Sequence, residues 1–504
     1  RRAKTCAPSM RSNEAANVGR PAPPLASVIE ELGFGFAQVR TIILGGCVWL
    51  ADGAELLLIG SVTRAVAEEW GLRAWERGAV VSVVFIGILM GNVFCGPLGD
   101  RFGRRLPILI SYAGIAIFSV LSACSTGFKQ LSSARLLVGF SFGLGQPAFN
   151  ALLSEVSPTH WRILANGISQ GLFIFGEVYS GVLIWWDDPD MLSLDWRWLL
   201  LMGAIPSLVC FIFAFFFLHQ SPWYLALHGH NDEARKVLES MRADNRALQV
   251  NVDFQPPVPH PQVGILEKYV RPIRVIFSPK LLFSTMAVIY SCFTLNVLFY
   301  GCLYAIPQVV TTVDMGVSPA VSLIYGAFYE LPGNVLAVIC GVRFGRRPMM
   351  MASLFCTSVS LVFFTLGASW TMEHGRQNVT ATQGWMLHLG YVGIKCFAVV
   401  GYIFVYQYAS EIYPTEARTT GVAACVAGGR LGGILAPLAF EFLLERTGGF
   451  EVFFYLIAGL CTLNILLVYL LHIETYGKAL QDTEEEVLPI VGPANTLPGF
   501  KATV

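Results

Sequence analysis

Apolar residues fall into twelve runs of about twenty, separated by short polar segments. They lie near 41–62, 78–98, 106–124, 131–153, 164–186, 197–218, 281–306, 319–341, 348–370, 385–409, 419–442 and 451–472. A helix rises ~1.5 Å per residue, so each run is long enough to cross a hydrocarbon core of ~30 Å. The pattern predicts an all-α membrane protein with twelve transmembrane helices in two six-helix bundles, 40–218 and 281–472. Residues 1–39, rich in Ala and Pro, and 473–504, with the acidic cluster Glu484, Glu485 and Glu486, are expected to be flexible tails. The linker 219–280 predicts a short amphipathic helix capped by Asn231, with Asp232 and Glu233 in its first turn, followed by a Pro-rich stretch from Pro256 to Pro261.

Composition agrees with the pattern. Hydrophobic residues make up 54% and charged residues 13%, against about 25% charged in soluble domains, so a lipid bilayer is the natural solvent. A formal net charge of +0 supplies no field to attract nucleic acid. Of 12 cysteines, all but Cys6 lie in or at the ends of apolar runs without metal-ligand spacing, and read as small apolar fillers. The 8 histidines are scattered and no nucleophile–base set gathers on one membrane face, so no enzyme, metal or cofactor is expected. The chain begins at Arg1 rather than Met, so nothing follows from the lack of a signal peptide.

Lys and Arg set the orientation. The loops after the second, fourth, sixth, eighth and tenth runs carry sixteen, the opposite loops seven, which places the first set and both termini in the cytoplasm. The sequon Asn378-Val379-Thr380 then falls on the outer side.

Two motifs recur in order. Gly96-Pro97-Leu98-Gly99-Asp100-Arg101-Phe102-Gly103-Arg104-Arg105 follows the second run, and Gly341-Val342-Arg343-Phe344-Gly345-Arg346-Arg347 follows the eighth. The fourth run ends in a segment with Glu155 and Arg162, the tenth in one with Glu411 and Arg418. The order implies a duplicated six-helix unit. A Gly-rich turn with an acid and several arginines is suited to lock one bundle against the other at the cytoplasmic face, so these residues are gate candidates. Glu155 with Arg162 and Glu411 with Arg418 are the pairs expected from position. The same Gly99–Arg105 turn lacks the Gly-Lys-Ser/Thr ending of a nucleotide loop, which argues against an ATP-driven pump.

Five ionisable side chains sit near the middle of their runs: Asp52, Glu177, Glu330, Lys395 and Arg430. Charge at that depth is costly and marks function. Asp52 and Glu55 share a helix face, and two adjacent carboxylates in low dielectric hold one proton between them, so both are proton-coupling candidates. Lys395 and Arg430, the latter among Gly428, Gly429, Gly432 and Gly433, either bind an anionic solute or neutralise Glu330 or Asp52. Glu177, Glu330, Asn296, Tyr300 and Tyr402 complete the substrate-binding candidates.

The Gly96–Arg105 loop resembles the signature of the major facilitator superfamily, and the resemblance covers nearly the whole chain. Ser221-Pro222-Trp223-Tyr224-Leu225, Ala51-Asp52-Gly53-Ala54-Glu55 and Glu330-Leu331-Pro332-Gly333 look like the branch of synaptic-vesicle-2-related proteins, organic ion transporters and sugar porters. Val342 departs from that pattern, which has Asp there, so the second-half lock is expected to be weaker or differently paired. The resemblance implies that every third helix faces lipid, and those runs hold almost no charge. It makes Arg135 the buried basic residue of the fourth helix, placed to affect protonation of Asp52 or Glu55. It also implies a secondary transporter working by alternating access as a monomer in a plasma or vesicle membrane. Symport of protons with a small organic anion ranks first, sugar or organic cation transport second, and a transporter-like vesicle protein or receptor third.

Overall fold

Each apolar run forms a helix, and most of these helices extend beyond their runs. The structure, a computed structural model, describes residues 23–256, 265–375, 380–414 and 417–475. The spanning helices of the first half are α2 (Phe36–Trp70), α3 (Ala74–Phe102), α4 (Arg105–Ala123), α5 (Phe128–Val156), α6 (Arg162–Asp187) and α7 (Trp196–Phe217). Those of the second are α11 (Leu282–Val309), α12 (Pro319–Arg343), α13 (Arg346–His374), α14 (Ala381–Glu411), α15 (Arg418–Thr447) and α16 (Glu451–Tyr469). Between the halves lie α8 (Pro222–Leu227), α9 (Asn231–Asp244) and α10 (Ile265–Ile276), and α1 (Leu25–Leu32) precedes them all. Polar termini are why the runs understate the helices. The 35 residues of α2 measure roughly 52 Å at ~1.5 Å per residue, well beyond a hydrocarbon core. Its end is set by Gly71, whose φ of 62° is left-handed.

The halves repeat one packing scheme. In the first, α3 packs on α5, α2 on α6, and α4 on α5 and α7; in the second, α12 packs on α14, α11 on α15, and α13 on α14 and α16. The halves meet through α2 with α11, α3 with α15, and α6 with α12. α7 carries its load of Leu208, Ile212, Phe213 and Phe216 on the surface, as a lipid-facing helix must.

Between apolar helices in lipid, close packing rather than the hydrophobic effect holds the contact. α3 and α5 meet through two small-residue pairs spaced four apart, Gly87 with Gly91 and Gly139 with Gly143. A Cβ on Gly139 would lie 2.0 Å from the Val84 carbonyl oxygen, and one on Gly87 2.1 Å from that of Leu136.

Three expectations change. The tail 1–39 contains α1, whose Leu25, Val28, Ile29 and Leu32 are buried at helical spacing. This tail helix is tied to the linker: Asn245 at the end of α9 donates to the carbonyls of Leu32 and Gly33 and accepts from Ala37 N at 2.9 Å. Asn231 is the first residue of α9 rather than its cap, which is His230, although Asp232 and Glu233 do occupy the first turn. The chain after α16 turns back, and Tyr408 donates to the Ile473 carbonyl at 2.8 Å. The sequon's Asn378, the acidic cluster 484–486 and most of the Pro-rich stretch lie outside the described residues.

Gly139→Ala is expected to cost about 2 kcal/mol by overpacking, seen as a lower melting temperature in detergent. Gly459→Ala, where a Cβ meets nothing within 4 Å, is expected to leave it unchanged.

Candidate functional site

A cavity of about 610 Å³ runs between the halves from Gln146 and Arg430 to Gly96, Asp100 and Arg104, and so opens at the face that carries the arginine turns. At its inner end Arg430, on α15, donates from Nη1 to the Tyr300 hydroxyl at 3.0 Å and from Nη2 to Gln146 Oε1 at 3.1 Å. Gln146, on α5, donates in turn to Asp52 Oδ2 at 2.8 Å. One neutral amide thus links an acid of the first half to a base of the second. Asp52 Oδ1 and Arg430 Nε, both buried, have no hydrogen-bond partner among the described residues. Small residues make this possible: Gly429 and Gly432 bring α15 against Asn296, Tyr406 and Phe293. Asn296 donates to the Tyr406 hydroxyl at 3.0 Å.

Glu55 does not share a site with Asp52. It faces α4 and α5, paired to Arg135 at 2.6 Å, and accepts from Ser119 at 2.6 Å. Arg135 also donates to Ser122 at 2.9 Å. The three-residue spacing on α2 therefore separates two environments: a neutralised pair inside the first bundle, and a buried acid linked to the cavity wall through Gln146.

The remaining midplane charges meet each other. Lys395 on α14 lies 2.7 Å from Glu330 on α12 and 3.3 Å from Glu177 on α6. Beside them is a smaller apolar recess of about 50 Å³, lined by Trp49, Phe173, Phe299, Tyr300, Tyr402 and Glu330 among others. Trp49 and Tyr402 also line the large cavity, so the two spaces adjoin. Of the two alternatives for the basic residues, Lys395 neutralises Glu330 directly, and Arg430 reaches Asp52 only through Gln146.

At the opposite face the halves are closed. Arg77, near the start of α3, donates to Glu441 of α15 at 2.6 and 2.7 Å, and Tyr304 of α11 donates to the same carboxylate at 2.5 Å. One turn further in, Ser82 donates to the Ile434 carbonyl at 2.7 Å, and Gly78 lies against the backbone of Pro437 and Leu438.

The turn arginines repeat atom by atom. Arg104 donates to the Gly99 carbonyl at 2.6 Å and to Glu155 at 3.1 Å. Arg346 donates to the Gly341 carbonyl at 2.6 Å and to both oxygens of Glu411 at 3.1 Å. Backbone amides of Arg104 and Arg105 are capped by Gln220, and those of Arg346 and Arg347 by Glu474. Arg105 donates to the Phe215 carbonyl and Arg347 to that of Tyr469. Glu155 and Glu411 therefore pair with turn arginines rather than with Arg162 and Arg418. Arg162 donates to the Ser157 carbonyl at 3.3 Å, and Arg418 opens α15. Each tie stays within its own bundle, as an open face requires. Asp100, bonded to Arg104 at 3.1 Å, is 76% exposed, and such a pair contributes less than ~1 kcal/mol. An acid at this place in the turn is thus worth little, and the second turn has a two-pronged contact between Arg346 and Glu411. Arg101 lies over the Phe102 ring at 5.2 Å, and Arg343 sits in the last turn of α12. Gly103, at φ 84°, ends α3, Gly345 caps α13, and Gly96 borders the cavity.

Sequence reading missed Gln146 and Glu441. Each is a polar residue inside or at the end of an apolar run, a signal as strong as that of Asn296, but neither spacing nor motif pointed to a partner. Arg77 is one of the seven basic residues of the opposite loops, which bear only on orientation. Arg77→Ala is expected to loosen the closed face by ~1 kcal/mol, since Arg77 is 31% exposed and Tyr304 remains as a donor to the buried Glu441. Labelling of a cysteine placed at Ser82 by a membrane-impermeant maleimide should accelerate roughly fivefold; an unchanged rate removes the gate role.

The chain matches the family described as Sugar (and other) transporter over residues 58–487. Synaptic vesicle 2-related protein of Xenopus laevis is 26% identical over 479 residues, spanning 90% of this chain and 82% of that one. Organic cation/carnitine transporter 7 of Arabidopsis thaliana is 28% identical over 498 residues, spanning 90% and 94%. The xylose transporter XylE from E. coli, in a partially occluded inward open conformation, has the same fold, with a TM-score of 0.68 at 20% identity over 88% of this chain and 99% of that one. Twelve spanning helices in two repeated halves, a cavity between them and a family match over most of the length agree: the chain belongs to the Sugar (and other) transporter family, and is an integral multi-pass membrane transporter of the major facilitator superfamily, in its sugar porter and synaptic-vesicle-2-related branch.

Proposed function

We propose that the protein is a secondary transporter that moves a small organic anion together with a proton, by alternating access of the bundles 40–218 and 281–472. The observation that carries this is the Asp52–Gln146–Arg430 chain at the cavity's inner end. Arg430 keeps its charge when buried and presents a planar fork that suits a carboxylate. A solute anion seated on Arg430 consumes the positive charge that Asp52 otherwise faces through Gln146. Asp52 is then a buried, unbalanced carboxylate, and a proton from the cavity restores neutrality. Anion and proton thereby favour each other's binding, and by linkage the effect is reciprocal. The apolar recess with Trp49, Phe173, Phe299 and Tyr402 suits the non-polar body of such a solute.

In this reading the arginine-turn face and both termini are cytoplasmic, the protein sits in a plasma or vesicle membrane, and one chain suffices, since the cavity lies within it. The turns with Arg104 and Arg346 hold the cytoplasmic ends of each bundle rigid, and Arg77 with Glu441 closes the outer face.

A second reading rests on the recess itself. Aromatic rings with the Glu330 carboxylate on the wall suit a cationic group, and the printed name of the Arabidopsis relative is that of an organic cation/carnitine transporter.

Uptake into proteoliposomes separates these. An imposed inward pH gradient should drive accumulation of a carboxylate solute. Asp52→Asn should abolish the gradient dependence, and Arg430→Ala should weaken apparent affinity by 10²-fold or more, the ~2–5 kcal/mol scale of a lost buried charge contact. Unchanged gradient dependence in Asp52→Asn removes Asp52 as the coupling site. Unchanged anion affinity in Arg430→Ala, with saturable uptake of a quaternary ammonium solute, selects the second reading.

A further inference from the structure

Glu177, Lys395 and Glu330 form a cluster with unequal numbers of acids and bases. Two carboxylates face one ammonium, and Glu177 and Glu330 are each 1% exposed. The three side chains come from both halves: Glu177 from α6 of the first, and Lys395 and Glu330 from α14 and α12 of the second. With both acids ionised the cluster carries one net negative charge in the protein interior, a state that burial disfavours. With one proton bound it is neutral.

The distances set the two acids apart. Glu330 lies 2.7 Å from Lys395 within the same half, whereas Glu177 reaches across the interface at 3.3 and 3.4 Å. The tighter pair lies within the second half, and Glu177 is the acid that joins the two halves. The other groups packed against α6 do not relieve it. On α2, Asp52 is engaged by Gln146 and Glu55 by Arg135. On α5, Arg135 is committed to Glu55. On α12 and α14, Tyr329 and Tyr391 add only neutral hydroxyls, and Tyr391 donates to the Ser322 carbonyl at 2.9 Å. The one charged residue of α7, Arg197, is held at the helix end by Glu69. The cluster lies next to the cavity, since Glu330 borders the recess that adjoins it.

We propose that Glu177 is a second proton-binding site and acts as a latch between the halves. Ionised, it holds α6 to Lys395; protonated, by transfer from water in the cavity, it releases Lys395 to Glu330 alone and frees α6 to turn against α12 and α14. Proton occupancy of Glu177 then sets the balance between the two conformers even without solute. This rests on the alternating-access reading above but not on the choice of solute or on Asp52.

The test is conformational. Nitroxide pairs placed across the two halves at the arginine-turn face of the full-length protein, in lipid nanodiscs without solute, report the ratio of open to closed distances as pH is varied. The wild type should shift its ratio by up to tenfold per pH unit across the titration. Glu177→Gln should be insensitive to pH, with the ratio that the wild type has at its acidic limit. Lys395→Met should likewise lose the pH dependence, and the thermal melt of each variant reports folding. Asp52→Asn should keep the shift. A pH-independent wild type, or a Glu177→Gln variant that still titrates, overturns the latch while leaving proton-driven uptake through Asp52 to stand or fall on the uptake assay; loss of gradient-driven uptake with the shift intact overturns the Asp52 reading alone.

Discussion

An ion carried into the membrane interior without a partner costs several kcal/mol, and this constraint organises the centre of the molecule. Each buried charge has found an opposite charge or an amide that reaches one, and where the partner lies decides what the contact does. Glu55 and Arg135 meet inside the first bundle and tie α2 to α5. Glu177 with Lys395, and Glu441 with Arg77, meet across the two halves. In the proposed alternating-access cycle, contacts of the second kind are the ones that must rearrange, and there motion and protonation would be linked.

The packing within each half has a different origin. Apolar helices gain nothing from hiding in lipid against one another, so α3 and α5 rely on backbone approach at Gly87, Gly91, Gly139 and Gly143. At the open face the turns tie the ends of neighbouring helices of one bundle together through Arg104 with Glu155 and Arg346 with Glu411. The duplication is visible there in the same carbonyl contact, the same capping of successive amides and the same reach of a second arginine to a distant carbonyl. The halves differ in what they give the centre: the first supplies the acids Asp52 and Glu177 and the amide Gln146, the second the bases Lys395 and Arg430 and the acid Glu330.

Residue patterns alone determine the number of spans, the duplication and the midplane charges, because each follows from short-range rules: ~1.5 Å of rise per residue, the cost of charge in lipid, and motif order. Even the missed helix α1 was written in its buried Leu25, Val28, Ile29 and Leu32, hidden only by the Ala- and Pro-rich company of the tail.

Pairing is another matter. That Glu55 answers Arg135 while Asp52, one turn away, answers Gln146 depends on how α2 is rotated against α4 and α5. That Glu155 turns to Arg104 and not to the nearer-in-sequence Arg162 depends on where the α3–α4 turn comes to rest. That Glu177 and Lys395 meet at all depends on two helices 218 residues apart in the chain lying side by side. A sequence fixes which residues carry charge and at what depth, but a partner is chosen by azimuth and by inter-helix distance, and only the packed bundle sets those.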